Sequence, residues 1–241
     1  MLCTTLVSTD ATTLMRDAAE HCDRLCHEAL AARGVFHMAL SGGSTPKALF
    51  NLLAAPAYVG RFDWSRVHLW WSDERYVPLD HPDSNYCMAR EALISKIAIP
   101  AGNIHATPVQ LSPDGAAAQY ESDIIRLLGS AAAFDLILLG MGDDGHTASL
   151  FPGAISDFPP DHLVIAHYVP KVGMQRITFT PKLINAAHHV AFLVSGKGKS
   201  AVLDRVLHGS YQPDVLPSQL ISPVPGETTW LLDRDAAGAN F

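Results

Sequence analysis

Long apolar runs are missing from this 241-residue chain: no stretch approaches the ~20 residues that span a bilayer. The opening segment MLCTTLVSTD has neither the charged nor the apolar region of a signal peptide, so a cytosolic protein is expected. Positive charge is also in short supply. With 17 Lys and Arg against 24 Asp and Glu, the formal net charge is −7, which argues against a general binder of nucleic acid. An anionic ligand would need a local basic pocket. The 4 cysteines, Cys3, Cys22, Cys26 and Cys87, are scattered, which argues against a disulfide scaffold at this size and compartment. Cys22 and Cys26 share a helical face with apolar neighbours, and the thiols read as buried. Internal repeats, low-complexity tracts, a G-x-S-x-G elbow and an H-E-x-x-H zinc pattern are absent too, which counts against solenoids, serine hydrolases of that type and zincins.

What the chain has is apolar material, 48% of its residues, enough for one large core, and residues 1–241 read as one domain. From Ala11 to Arg33 apolar residues recur at helical spacing, with Asp10 available as a cap. A short apolar run, Val35 to Leu40, ends in Ser41-Gly42-Gly43-Ser44, after which Thr45 is placed to cap and Pro46 to open a helix. The same rhythm gives strands over 67–71, 134–139, 176–180, 189–194 and 228–232. Helices are expected over 84–97, over 114–128, after Pro181 and after Gly198. The Pro-rich stretches 152–160 and 213–225 read as irregular loops. Strands alternating with helices predict an α/β fold, a mostly parallel sheet with helices on both faces.

Ligands of such sheets bind outside the carboxyl ends of the strands, so the segments after each strand are the ones to search. In Gly42, Gly43, Ser44 and Thr45, glycines let backbone approach a ligand and a helix start offers N–H groups to an anion; a capped turn accounts for the loop equally well. After Trp71 comes Ser72-Asp73-Glu74-Arg75. Here Arg75 can clasp a phosphate or carboxylate while Asp73 and Glu74 orient it or accept sugar hydroxyls; an isolated triplet of this kind is more often a surface ion-pair cluster. After Leu139 comes Gly140-Met141-Gly142-Asp143-Asp144-Gly145-His146, a glycine-rich bend with a histidine where a helical turn can begin. A helix start beside His146 would favour the neutral ring and suit it to general-base work, with Asp144 orienting the ring or binding substrate. A metal on Asp143, Asp144 and His146 lacks further ligands at usable spacing. Arg176 and Lys199 are further candidate cations, and each would read as solvated surface charge if it stood alone.

Taken together, SGGSTP, SDERYVPLDHPDSNY, DLILLGMGDDGHTASLFPG, RITFTP, the Gly196/Lys199 pair and LPSQLISPVPGETTWLLDRDAA resemble the 6-phosphogluconolactonase family, which is related to glucosamine-6-phosphate deaminases. The resemblance covers nearly the whole chain in order. It implies a Rossmann-like sheet, a small-molecule sugar-phosphate lactone as substrate and neither metal nor organic cofactor. It further implies His146 as the catalytic histidine, and Gly42, Gly43, Ser44, Thr45, Arg75, Arg176 and Lys199 as the substrate-binding set. Asp144 and Asp73 complete the candidate site. Lys197 competes with Lys199, the motif spacing favouring Lys199. The approach to Arg176 reads PKVGMQ, where the family usually carries a run of prolines. No nucleic-acid, membrane or protein partner is implied, and a monomer is expected. A deaminase would carry glutamate just before Pro152, where this chain has Phe151, a side chain that cannot transfer protons. A non-catalytic sugar-phosphate sensor could dispense with His146 and would want a basic helix-turn-helix extension, which does not precede residue 35.

Overall fold

The structure, a computed structural model, describes residues 2–154 and 158–240. Strand β1 (Leu2–Ser8) leads into helix α1 (Ala11–Arg33), which Asp10 caps by accepting from the Thr13 N–H and which Gly34 ends in the left-handed conformation at φ 76°. Of the expected apolar face of α1, Leu14, Ala18, Cys22, Leu25 and Ala29 are buried and Leu30 is half-buried. There follow β2 (Phe36–Leu40), α2 (Ser44–Leu53), β3 (Val67–Trp71), β4 (Asp73–Arg75), α3 (Asn85–Ala92), α4 (Pro113–Leu128) and β5 (Leu136–Leu139). The chain closes with β6 (Val164–Val169), β7 (Met174–Phe179), α5 (Pro181–Ile184), β8 (His189–Val194), α6 (Ser200–His208), β9 (Glu227–Asp233) and α7 (Arg234–Ala237).

Six strands form one parallel sheet in the order β1-β9-β8-β5-β2-β3. Side chains alternate between its faces. Met38, Leu40, Leu69, Leu136 and Leu138 pack with α1, α2 and α3, whereas Ala39, Trp70, Ile137, Leu139 and Phe192 pack with α4, α5 and α6. Strands buried on both faces explain the unbroken apolar runs FHMAL and LILL. The α/β expectation with a Rossmann-like sheet holds.

A second sheet, three antiparallel strands in the order β4-β7-β6, was not expected. Ser72 joins the two: its N–H donates to Leu40 O of the parallel sheet, and its carbonyl accepts from the Phe179 N–H of β7. The sheets therefore fork at a fully buried residue, and the segment after the fork carries Asp73 and Arg75.

Other readings need correction. Helix α2 begins at Ser44 with Gly43 at its N-cap and no capping side chain, so Thr45 does not cap and Pro46 lies inside the first turn. Helix α3 stops at Ala92, followed by a separate 3₁₀ turn at Ile94–Lys96. Of the cysteines, Cys22, Cys26 and Cys87 are buried but Cys3 is exposed. The 213–225 loop contains a 3₁₀ turn, Pro217–Leu220, while residues 155–157 of the other loop lie outside the described residues.

Candidate active site

Chain direction reverses between β2 and β5: α2 carries the chain from β2 outward to β3, while β5 pairs on its other side with β8. The loops leaving these two strands diverge and open a crevice there, as the strand order of an open parallel sheet dictates. A cavity of about 250 Å³ occupies it, lined by Ser41, Gly42 and Gly43 from the β2 loop, Gly140, Gly142, His146 and Ala148 from the β5 loop, Asp73, Arg75 and Asn85 beyond the fork, and Lys199.

Tight packing shapes the β5 loop. A Cβ on Gly142 would stand 2.0 Å from His146 Nδ1, so only glycine lets the ring lie against the backbone. Gly145 sits at φ 79°, and its carbonyl accepts from the Ser218 N–H at 2.9 Å and from Ser218 Oγ at 2.8 Å. The Thr147 hydroxyl donates to Gly140 O at 2.8 Å, and Ala148 takes φ 47°, a conformation costly for a residue with a Cβ. No helix starts at His146, so the expected helix-terminus effect on its ring has no source.

A carboxylate fixes the ring instead. Asp144 Oδ1 lies 2.6 Å from His146 Nδ1 and also accepts from the His146 N–H at 3.1 Å. A carboxylate can only accept, so in the neutral ring the proton sits on Nδ1 and the lone pair on Nε2. Phe151 stacks on the imidazole at 4.2 Å between centroids and 20° between planes. Burial opposes charge on Asp144, but hydrogen bonds from Lys171 and His146 outweigh it and hold the carboxyl well below the usual range.

Two cations, Arg75 and Lys199, line the same cavity. Arg75 on β4 and Arg176 on β7 are register partners, two like charges directly across an antiparallel pair, an arrangement that is unfavourable without an anion. Each guanidinium has a buried Nε with no hydrogen-bond partner among the described residues. Burial pushes Arg176 below its ordinary value, with Asp73 opposing. Arg75 Nη1 donates to Asp83 O at 2.7 Å. Lys199 reaches the cavity and pairs with Asp143, which it holds below the usual carboxylate range, whereas Lys197 is exposed and away from the lining. The Lys199 turn is tied down by Asp233, whose carboxylate accepts from the Gly196 N–H and the Ser195 hydroxyl.

Ser44 and Thr45 stand at the start of α2 outside the cavity lining, and Arg176 lies beside Arg75 without lining it. Glu74 does not orient Arg75. Its two oxygens accept from the Asn85 and Tyr86 N–H groups and from Ser84 Oγ, so it caps α3; burial raises its pKa despite these bonds. Asp73 accepts from Ser149 Oγ at 2.7 Å and from Asn85 Nδ2 at 3.2 Å. Asn85 is a lining residue that sequence reasoning missed; its signal is the Asn after Ser84 at a helix start. Gly42 touches it so closely that a Cβ would fall 1.9 Å from Asn85 Oδ1.

This arrangement brings a carboxylate-held imidazole and two anion-seeking cations to one crevice. The sequence profile of the family described as glucosamine-6-phosphate isomerases/6-phosphogluconolactonase matches residues 9–230. A 6-phosphogluconolactonase of Nostoc sp. is 45% identical over 218 residues, covering 88% of this chain and 88% of that protein. A 6-phosphogluconolactonase of Synechocystis sp. is 44% identical over 214 residues, covering 87% of this chain and 86% of that protein. The crystal structure of 6-phosphogluconolactonase from Thermotoga maritima superposes with a TM-score of 0.83 at 31% identity, over 96% of this chain and 99% of that one. By profile, sequence and fold alike, the chain belongs to the glucosamine-6-phosphate isomerase/6-phosphogluconolactonase family.

Proposed function

We propose that this enzyme hydrolyses 6-phosphogluconolactone to 6-phosphogluconate, the lactone-opening step of the pentose phosphate pathway, with His146 as general base. The observation that carries the reading is the Asp144–His146 pair at the cavity wall, whose geometry leaves Nε2 as the proton acceptor. The activity named for the Nostoc and Synechocystis relatives supports the same substrate.

In this mechanism the ligand's phosphate lies against Arg75 and Lys199, with Arg176 beside Arg75 adding positive charge, and the Gly42/Gly43 backbone closing over the sugar. His146 Nε2 takes a proton from a water whose oxygen attacks the lactone carbonyl carbon, giving a tetrahedral oxyanion. Collapse of that intermediate breaks the bond to the ring oxygen, which leaves with the proton returned by the imidazolium. Asp144 stabilises the imidazolium while it lasts. Donors aimed at the oxyanion, the loop N–H groups, lower the barrier by about 3–4 kcal/mol in comparable sites. Phe151, stacked on His146, offers no carboxyl for the ring-opening step of a deaminase.

The test is acid release from freshly made lactone, followed with a pH indicator and corrected for spontaneous opening. His146→Ala is expected to lower kcat by roughly 10²–10⁴-fold with KM little changed. Near-normal turnover in that variant, or ammonia release from glucosamine 6-phosphate by the native enzyme, contradicts the reading.

A further inference from the structure

Lys171 was not among the candidate site residues, and it does not line the His146 cavity. It stands in the 3₁₀ turn Pro170–Val172 that links β6 to β7, closed by Gly173 in the left-handed conformation at φ 62°. From there its ammonium pairs with Asp144 Oδ2, while Asp144 Oδ1 holds His146. Asp144 thus ties the two together. It lines a second cavity of about 520 Å³, with Lys171, Phe151, His167 and Tyr168 among its neighbours there. Three residues from two loops form one line of contacts, Lys171 to Asp144 to His146, which ends at Nδ1 of the ring whose Nε2 is the proposed proton acceptor.

Lys171 itself is 61% exposed, and exposed ion pairs contribute little to stability, so folding is a weak reason for this contact. Geometry supplies a better one. A carboxylate bound through one oxygen alone can rotate and swing between partners; anchoring Oδ2 leaves Oδ1 with a single direction, toward Nδ1–H. The turn is also built into the hairpin that carries Arg176, since β6 and β7 pair in register from Val164↔Phe179 to Val169↔Met174. The strand that carries Arg176 beside the cavity-lining Arg75 therefore also sets where Lys171 stands.

We propose that Lys171 is a positioning residue for the hydrolysis, acting through Asp144 to fix the His146 ring and to tune the proton affinity of its Nε2. The inference rests on His146 being the base. The other charges facing the pair are Asp143 with Lys199 from the turn 197–199, Asp73 and Arg75 from β4, and Arg176 and His167 from the hairpin. These stay in place when Lys171 is replaced. Removing the ammonium takes a positive charge away from the dyad, which favours the imidazolium, so the acidic limb of the rate profile moves to higher pH.

The experiment compares Lys171→Met, Lys171→Gln and Lys171→Arg with the native enzyme and with His146→Ala, measuring kcat and KM for the lactone between roughly pH 5 and 8. For both neutral variants kcat is expected to fall by roughly 3–30-fold near pH 7, with KM within about twofold and the acidic limb raised by about 0.5–1 pH unit. Lys171→Arg is expected to restore the limb. A neutral variant whose profile superimposes on the native one overturns the proposal, and so does a raised KM at unchanged kcat, which would assign Lys171 to substrate binding. Full turnover by His146→Ala instead removes the base on which the proposal stands, a failure told apart by that variant alone.

Discussion

Two ends of one sheet hold histidines in opposite conditions. Past the carboxyl end of β5, His146 meets a carboxylate and a cavity. Near the amino ends of β2 and β3, His37 and His68 form a stack with His105: centroids lie 4.7 Å and 5.2 Å apart, and His68 Nδ1 meets His105 Nε2 at 2.9 Å. Trp70 Nε1 donates to His37 Nδ1 at 3.2 Å and its ring covers His105 at 4.0 Å. No carboxylate hydrogen bond is among these contacts. Burial pushes His37 down to about 3 and His105 down to about 4, and it lowers His68 as well, so the stack stays neutral and serves packing. What separates the two conditions is a carboxylate partner and an opening to a cavity, which His146 has and the stack lacks.

The sharpest way to break this contrast is to remove the partner. Asp144→Asn keeps the shape and drops the charge that stabilises an imidazolium, and kcat is expected to fall by roughly 10²–10⁴-fold in the lactone assay with the melting temperature little altered. Next in size is Gly142→Ala. Its methyl would overlap the ring of His146, displacing it from Asp144, and a loss of roughly 10–10²-fold in kcat is expected with circular dichroism unchanged.

The smallest effect belongs to the stack. His105→Phe is expected to leave kcat within about twofold at neutral pH while changing the response to acid. The native stack binds protons only well below the ordinary 6.5, whereas the unfolded chain takes them up from 6.5 downward. Stability is therefore full above pH 6.5 and drains away as pH falls toward about 4 for His105 and about 3 for His37. Urea midpoints measured across that window should slope less steeply in His105→Phe; an unchanged slope would mean the ring is not held neutral by the fold.

Legibility in the sequence followed the range over which residues act. Strands buried on both faces announced themselves as apolar runs, and α1 as a helical stripe with a cap and a terminal glycine. Strand β4, three charged and polar residues, exists only because β7 offers it a ladder, and β1 mixes threonine with apolar residues in no clear period. In the site, His146, Arg75 and Lys199 stood out because each follows a strand in a glycine-rich or charged loop. Lys171, Ser149, Ser218 and Asp233 did not, because their partners lie 27, 76, 73 and 37 or 38 positions away in the chain and only the tertiary fold brings them together. Glu74 was misread for a related reason: a buried carboxylate and a helix start eleven positions later are one feature in space.

The pairing of β1 with β9 has a consequence for biosynthesis. Among the described residues, β1 at the edge of the parallel sheet is made before every other strand, and its one ladder partner, β9, is made after all of them. Until Glu227–Asp233 emerges, the uncharged segment LCTTLVS lacks its ladder partner and must wait, with Leu6 and Val7 unshielded, for a strand 225 positions further on. Nascent chains stalled short of β9 are where self-association of this protein would begin, through the unpaired edge of β1.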